Sequence, residues 1–258
     1  MEPRIDLCGK LAVVTGGASG IGAAVASCLA ACGARVVALD RAYPDEPSTQ
    51  GSLQQRYLDV CESKQVAAVI DAIEAELGTI DVLVNSAGIL QRPLPMETAS
   101  DREWERVINT NLRGTYQCCR RVGIRMAERG RGAIINVASV TGLRSSPLFA
   151  YGPSKAAIIN LTEGLAAEWG RRGVRVNAVA PGFTWTPAIA EATDAGYITE
   201  QQMAACSAVG RLVEPAEVAR AIAFLASDMA SAITGATLPV DCGYLVASAW
   251  TPYGGTAP

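Results

Sequence analysis

The chain has 258 residues, of which 50% are hydrophobic, and 22 Lys and Arg against 25 Asp and Glu give a net charge of −3. This composition is typical of a globular protein with a large core, and it excludes a disordered, collagen-like or coiled-coil chain. Without an excess of basic residues, the chain has no positive electrostatic field to attract nucleic acid or an anionic membrane. We therefore expect neither as a partner.

The chain contains no histidine. This excludes every Ser-His or Cys-His nucleophilic pair and every histidine-containing zinc site, so acid–base chemistry must use a Tyr, Lys, Cys or carboxylate of shifted pKa. The eight cysteines stand at positions 8, 28, 32, 61, 118, 119, 206 and 242, with no CxxC pair and no metal-ligand or disulfide spacing. With no signal peptide pattern and no long apolar stretch, we expect a cytoplasmic protein without a metal.

Short apolar runs alternate with longer periodic segments, which predicts an α/β fold: a single-domain, Rossmann-like, doubly wound parallel sheet with helices on both faces. The predicted strands, about seven, cover residues 11–15, 35–39, 56–58, 82–85, 133–137, 175–179 and 237–240. The predicted helices cover residues 21–32, 63–77, 101–129, 154–171 and 216–227. No linker or repeat divides the chain, so we predict one domain over residues 1–258.

Two segments interrupt this alternation. Residues 42–55 carry Pro44, Pro47 and Gly51 where a helix normally follows the second strand, so we expect a loop or a stub of helix there. Residues 183–213 form a long connection of mixed polarity, which we interpret as a substrate loop, and residues 243–258 as a C-terminal tail.

A glycine-rich turn, TGGASGIG, follows the first predicted strand at residues 15–22 and leads into a helix. Its glycines allow the backbone to approach a pyrophosphate, and the helix N-terminus offers free N–H groups. Asp40 closes the second strand, where a carboxylate accepts hydrogen bonds from an adenosine ribose and repels a 2′-phosphate. These features favour NAD over NADP, although the neighbouring Arg41 could pair with a phosphate.

A second group of polar residues lies near the middle of the chain. Tyr151 and Lys155 stand four residues apart at the start of a predicted helix, so they share one face, and Ser139 follows the preceding strand. An ammonium near a tyrosine hydroxyl favours the phenolate, so we expect Lys155 to lower the pKa of Tyr151. The pair would supply acid–base chemistry without histidine.

These motifs, together with NSAG at residues 85–88, Asn111, Pro181–Gly182 and LPVD at residues 238–241, resemble the short-chain dehydrogenase/reductase family over essentially the whole chain. The resemblance implies a nicotinamide-dependent oxidoreductase. It also implies a homotetramer, because the helices at residues 101–129 and 154–171 resemble the pair that forms the family's tetramer interface.

The resemblance further implies a catalytic set of Asn111, Ser139, Tyr151 and Lys155. Tyr151 would exchange a proton with the substrate oxygen, which Ser139 also binds, while Lys155 holds the nicotinamide ribose and Asn111 carries a proton-relay water. The implied cofactor contacts are Gly16, Ser19, Gly20, Ile21, Gly22, Asp40, Asp59, Val60, Asn85, Gly88, Tyr151, Lys155, Pro181, Gly182, Thr184 and Thr186.

The chain departs from the family pattern at Ser86, at Cys242 and after the second strand. Polar or aromatic residues beside the implied site suit a hydroxylated or carboxylated substrate, or alternatively lie on the surface or against a neighbouring subunit. They are Gln91, Arg92, Arg144, Trp185 and residues 250–253.

We therefore expect NAD(H)-dependent interconversion of a secondary alcohol and a ketone, with a small-molecule substrate of polyol, sugar, diol or hydroxyketone type. Two alternatives stay open. The first is a 3-oxoacyl thioester reductase, which Asp40 disfavours because such enzymes usually take NADPH. The second is a catalytically silent NAD-sensing protein of the same fold.

Overall fold

The computed structural model describes residues 5–247 and residue 250. The described strands are β1 (Leu11–Thr15), β2 (Arg35–Asp40), β3 (Ser48–Gln50), β4 (Leu53–Tyr57), β5 (Val82–Asn85), β6 (Gly132–Val137), β7 (Val174–Pro181) and β8 (Thr237–Val240). They form one sheet in the order β3-β4-β2-β1-β5-β6-β7-β8. All pairs are parallel except β3–β4, and the chain turns to opposite sides of β1 to form β2 and β5. Such a reversal opens a crevice at the carboxyl ends of the strands.

The expectation of a loop at residues 42–55 is confirmed for residues 42–47 and wrong for the rest of the segment. Residues 48–55 form β3, the turn after it and the start of β4, which adds an eighth, antiparallel strand at the sheet edge. Gly51 turns the chain at a φ of +60°, a conformation that glycine adopts without strain. Pro44 and Pro47 precede β3, so their missing N–H groups remove no hydrogen bond from the strand pairing.

Nine helices lie in the described part of the chain. They are α1 (Gly20–Ala31), α2 (Ser63–Leu77), α3 (Asp101–Val107), α4 (Gly114–Arg129), α5 (Tyr151–Trp169), α6 (Pro187–Asp194), α7 (Glu200–Ala205), α8 (Pro215–Ala226) and α9 (Tyr244–Ala247). Leu29 of α1 and Ile222 of α8 are buried in one apolar layer on the sheet. Ile70 of α2, Val122 of α4 and Trp169 of α5 are buried in the layer on the opposite face. The doubly wound arrangement is therefore confirmed.

The helix predicted over residues 101–129 is not continuous. Between α3 and α4 the backbone forms a π-helical turn, Ile108–Arg113. A π turn holds one more residue than an α turn, so it changes the direction of the side chains that follow. Asn111 lies in this turn and is completely buried.

The long connection at residues 183–213 carries helices α6 and α7 rather than irregular chain. Its two ends are joined by a bridge between Thr184 and Val213. Val213 N–H donates to the Phe183 carbonyl at 2.8 Å, and Trp185 N–H donates to the Val213 carbonyl at 2.9 Å. The segment is thus a helical flap with a fixed base, and we refer to residues 183–213 as the flap.

No helix in the described ranges combines the length and the apolarity needed to cross a membrane. Those ranges also contain no group of three or more side chains suited to hold a metal ion. Most of the C-terminal tail, including residues 251–253, lies outside the described residues.

Candidate active site

A cleft of about 990 Å³ opens at the carboxyl ends of the strands and extends beneath the flap. Sixteen of the residues predicted as site residues line it. They are Gly16, Ser19, Gly20, Ile21, Gly22, Asp40, Asp59, Val60, Gly88, Ser139, Tyr151, Lys155, Pro181, Gly182, Thr184 and Thr186. The structure therefore brings together the carboxyl ends of six strands, the start of α5 and the flap.

The glycine-rich turn has no room for side chains at its key positions. Gly16 has a φ of +70°, and a Cβ atom added to it would lie 2.7 Å from the Ala87 backbone. A Cβ atom on Gly22 would lie 2.0 Å from the Gly16 carbonyl oxygen. Ser19 precedes α1, and its side chain makes no capping bond there. The N-terminus of α1 thus faces the cleft as a cradle suited to a phosphate group.

Asp40 is held against this turn. Its carboxylate accepts from Ala18 N–H at 3.1 Å and from Ala42 N–H at 2.9 Å. Tyr43, which sequence reasoning did not single out, donates from its hydroxyl to the Gly17 carbonyl at 2.8 Å. The start of the segment before β3 is therefore tied to the glycine-rich turn, and Asp40 and Arg41 both line the cleft.

Two predicted site residues do not line the cleft. Asn85 is buried between strands, where its Nδ2 donates to Asn136 Oδ1 at 2.8 Å and to Cys119 Sγ at 3.2 Å. The Asn85 amide nitrogen is thus bonded within the core, and a contact of Asn85 with the adenosine side of the cofactor stays a prediction. Asn111 lies behind the wall of the cleft, where its side chain accepts from Ile89 N–H at 2.8 Å and donates to the Ile89 carbonyl at 3.1 Å.

Ser139 and Tyr151 bring their hydroxyl groups together in the cleft. The Ser139 oxygen accepts from Thr141 N–H at 3.2 Å and from the Thr141 hydroxyl at 3.0 Å. Because both acceptor positions are used, the Ser139 proton is left to donate toward Tyr151 or a bound oxygen. The Ser139 contact lowers the pKa of Tyr151, but burial has the larger effect and raises it.

Lys155 is buried against the same wall. Its ammonium donates to the Val137 carbonyl at 2.7 Å and lies 5.5 Å from the centre of the Tyr151 ring. Burial lowers the pKa of Lys155 to about 8. The prediction that Lys155 brings the pKa of Tyr151 below its usual value is wrong for the free protein, because burial penalises both charged forms. Tyr151 therefore keeps its proton here and is prepared to act as a donor.

A charged group lines one part of the cleft, which we refer to as its outer part. Glu103 is buried there between two arginines, 3.6 Å from Arg92 and 4.0 Å from Arg106. The flap contributes Ile189 and Tyr197 to the lining of the cleft. The lining found for the cleft includes Gln91 and Arg92 but neither Arg144 nor Trp185.

Several residues of the site were missed by sequence reasoning. Thr141 holds Ser139, and Ser154 donates to the Tyr151 carbonyl at 2.7 Å and accepts from Asn111 Nδ2 at 3.3 Å. Tyr244 lines the cleft and packs edge-on against Phe183, with ring centres 5.7 Å apart. Of these residues, only Ser154 could have been indicated by the sequence, because it lies within the YxxxK motif.

The fold and the cleft define a nucleotide-binding oxidoreductase, and comparison with known proteins supports this class. Residues 16–245 match a family model described as enoyl-(acyl carrier protein) reductase. The chain is 41% identical to D-threitol dehydrogenase of Mycolicibacterium smegmatis, covering 94% of this chain and 95% of that protein. The chain belongs to the short-chain dehydrogenase/reductase family.

Other similar proteins carry different names. Galactitol 2-dehydrogenase of Rhizobium johnstonii is 40% identical, over 94% of this chain and 98% of that protein. A structure described as ribose-5-phosphate isomerase from Brucella melitensis is 46% identical, with a TM-score of 0.93, over 98% of this chain and 99% of that one. A gluconate 5-dehydrogenase from Burkholderia cenocepacia, in complex with NADP and tartrate, is 34% identical with a TM-score of 0.86, over 94% and 97% of the two chains.

Proposed function

We propose that the protein is an NAD(H)-dependent dehydrogenase that interconverts a secondary alcohol and a ketone, with a polyol or related hydroxylated compound as substrate. One observation carries the proposal: the hydroxyl groups of Ser139 and Tyr151 and the ammonium of Lys155 line a single cleft that also contains a glycine cradle. This combination supplies a binding position for a substrate oxygen beside a dinucleotide site.

The residues present fit a nicotinamide dinucleotide. Gly16, Gly20 and Gly22 line the cleft, and the N-terminus of α1 would offer N–H groups to a pyrophosphate there. Asp40 supports NAD, since its carboxylate is held at the end of β2, where a ribose hydroxyl would be recognised. Lys155 would hold the second ribose. When bound, the nicotinamide ring supplies the chemistry of hydride acceptance and donation.

The side chains of the cleft bind the substrate oxygen and transfer its proton. Ser139 donates a hydrogen bond to the substrate oxygen, and Thr141 keeps the Ser139 oxygen in place from the other side. Tyr151 holds the proton that the substrate oxygen gains on reduction and loses on oxidation. Asn111 and Ser154 hold the backbone around Tyr151. Flap residues Ile189 and Tyr197 line the cleft, where they would shield the reacting groups from water.

The outer part of the cleft supports a hydroxylated substrate. Glu103, Arg92 and Arg106 provide both donors and acceptors, which match the several hydroxyl groups of a polyol. D-threitol and galactitol dehydrogenases are named among the relatives. With two guanidinium groups and one carboxylate, this part of the cleft also tolerates a single negative charge on the substrate.

The experiment is a 340 nm absorbance assay of the purified protein with NAD and with NADP. The substrate panel contains C4 to C6 polyols, small diols, cyclic alcohols, hydroxy acids and a 3-oxoacyl thioester. We expect NAD-dependent oxidation of neutral polyols. Exclusive turnover of the 3-oxoacyl thioester with NADPH would contradict the proposal, and so would cofactor binding without turnover of any member.

Cofactor preference has its own test. We expect Asp40→Asn to lower the ratio of kcat/KM with NAD to that with NADP by roughly 10- to 100-fold, because a charged hydrogen bond is lost and a repulsive charge removed. Arg41→Ala, at the neighbouring position, is the control variant, and we expect it to keep the preference for NAD. If the wild-type protein prefers NADP and Arg41→Ala abolishes that preference, Arg41 and not Asp40 selects the cofactor.

We also propose a homotetramer in the cytoplasm. Tyr116 and Ile124 of α4 are large, partly apolar side chains with 49% and 41% of their surface exposed. They are eight residues apart and so lie on one face of the helix, where a second subunit would cover them. The cysteine spacing, with no CxxC pair and no disulfide framework, supports a reducing compartment.

A further inference from the structure

Helix α5 begins without a capping side chain of its own. Its N-cap residue is Ala150, which has no side-chain acceptor. The Gly152 N–H is bonded to the Leu148 carbonyl at 2.8 Å, and Pro153 has no N–H. The N–H groups of Ala150 and Tyr151 are left to find an acceptor from another part of the chain, because helix starts leave such groups unsatisfied.

Gln91 supplies that acceptor across almost sixty residues of sequence. Its Oε1 atom accepts from Ala150 N–H at 2.6 Å and from Tyr151 N–H at 3.2 Å. Two donors on one atom identify that atom as the amide oxygen, which defines the orientation of the carboxamide. Gln91 is only 8% exposed, so little water is available to replace these bonds.

The segment that carries Gln91 is itself fixed. Ile89, two residues earlier, is bound through both its N–H and its carbonyl to the Asn111 side chain. Asn111 also reaches Ser154, whose hydroxyl holds the Tyr151 carbonyl. The N–H and the carbonyl of Tyr151 are thus both held by side chains connected to the loop after β5.

We propose that Gln91 is a positioning residue for Tyr151: its side-chain oxygen caps α5 and thereby sets the place of the Tyr151 hydroxyl relative to Ser139. The inference rests on the proposed role of Tyr151 in proton transfer. Proton transfer depends steeply on the separation of donor and acceptor, so a small shift of the first turn of α5 lowers kcat without altering the dinucleotide site.

Two substitutions separate the capping bond from the volume of the side chain. Gln91→Met keeps the size and removes the acceptor, whereas Gln91→Glu keeps an acceptor and places a negative charge near a helix N-terminus, where it is favourable. We expect Gln91→Met to lower kcat roughly 10- to 100-fold with an unchanged Kd for NADH, and Gln91→Glu to stay within about threefold of wild type.

A control separates positioning from a general loss of stability. Ser227 is 2% exposed and caps the turn after α8 by accepting from Met229 N–H at 3.3 Å, and it is absent from the lining of the cleft. Ser227→Ala should lower the melting temperature by a similar amount and leave kcat unchanged. A wild-type kcat in Gln91→Met, or an equal loss in Gln91→Glu, would overturn the positioning role.

Hydrogen exchange of the peptide that contains residues 150 and 151 tests the cap without any turnover. We expect faster exchange in Gln91→Met than in wild type or Gln91→Glu. Unchanged exchange would overturn the inference even if the enzyme is active. If the wild-type protein turns over no substrate, the proposed function fails, and the exchange rates still decide whether Gln91 caps α5.

Discussion

At the scale of single residues, burial controls the electrostatics of the site. Tyr151 and Lys155 both lose water, and each is displaced toward its neutral form: burial raises the pKa of Tyr151 and lowers that of Lys155 to about 8. The wall around Lys155 offers it the Val137 carbonyl, a dipole rather than a full negative charge. In the free protein, Tyr151 is therefore protonated and lies beside the Lys155 ammonium, whose burial costs stability.

This cost predicts a pH-dependent stability. The pKa of Lys155 is about 8 in the folded chain and 10.5 unfolded, so between these values the unfolded chain binds more protons and stability rises with pH. Well below pH 8, Lys155 is charged in the folded chain, and the full cost of burying this charge lowers the stability. Relative to Lys155→Met, the wild-type free energy of unfolding should therefore increase by about 2–3 kcal/mol from pH 7 to pH 10.

Urea unfolding of both proteins without cofactor, at the two pH values, measures this change. Exposed Lys64→Met serves as the matched control for removal of a lysine. The measured quantity is the difference in unfolding free energy between wild type and Lys155→Met. If this difference is the same at pH 7 and pH 10, burial does not shift the Lys155 pKa. A constant offset is expected in addition, because the Val137 carbonyl loses its donor.

At the scale of the elements, α4 and α5 pack closely through a single glycine. A Cβ atom added to Gly123 of α4 would lie 2.1 Å from the distal ring of Trp169 at the end of α5. Trp169 is 5% exposed and belongs to the layer beneath both helices, so it cannot move into solvent without loss of packing. Glycine at position 123 is therefore required by the tryptophan opposite it.

This contact predicts a strong coupling. Gly123→Ala should destabilise the protein by about 1–3 kcal/mol through overpacking. In a Trp169→Leu background the same substitution should be neutral or slightly stabilising, because alanine favours helix and the ring is gone. Unfolding free energies of the four proteins in this double-mutant cycle measure the coupling. Equal effects in both backgrounds would show that the two side chains do not compete for space.

At the scale of the whole molecule, features with a local cause could be predicted from the sequence. Six of the parallel strands follow from apolar runs bounded by turns, and the glycine-rich turn follows from its glycines. The polar strand β4, LQQRY, overlaps its predicted range only at residues 56 and 57. Features that depend on distant partners could not. The strand β3 exists only because β4 pairs with it, and its prolines suggested a loop. Asn85 fits a family motif, yet its amide is taken up by Asn136 from the neighbouring strand.

The pKa shifts of Tyr151 and Lys155 and the capping of α5 by Gln91 also depend on distant parts of the chain. The sequence spacing of Tyr151 and Lys155 predicts that they share a face, but the sign of the pKa shift depends on how much water the folded chain removes. Gln91 was noted as a polar residue near the site, whereas its bonds to Ala150 and Tyr151 require the loop after β5 to meet the start of α5. Such contacts are set by the tertiary fold.

In the proposed reaction, Tyr151 transfers the proton to and from the substrate oxygen. The most direct measurement is kcat for Tyr151→Phe with the best alcohol of the panel, together with the Kd for NADH. Half-buried Tyr57, which is absent from the cleft lining, supplies Tyr57→Phe as the matched control. We expect Tyr151→Phe to lose at least about 100-fold in kcat with NADH affinity retained, because only the proton donor is removed, and Tyr57→Phe to match wild type. A Tyr151→Phe variant with wild-type kcat would contradict the account.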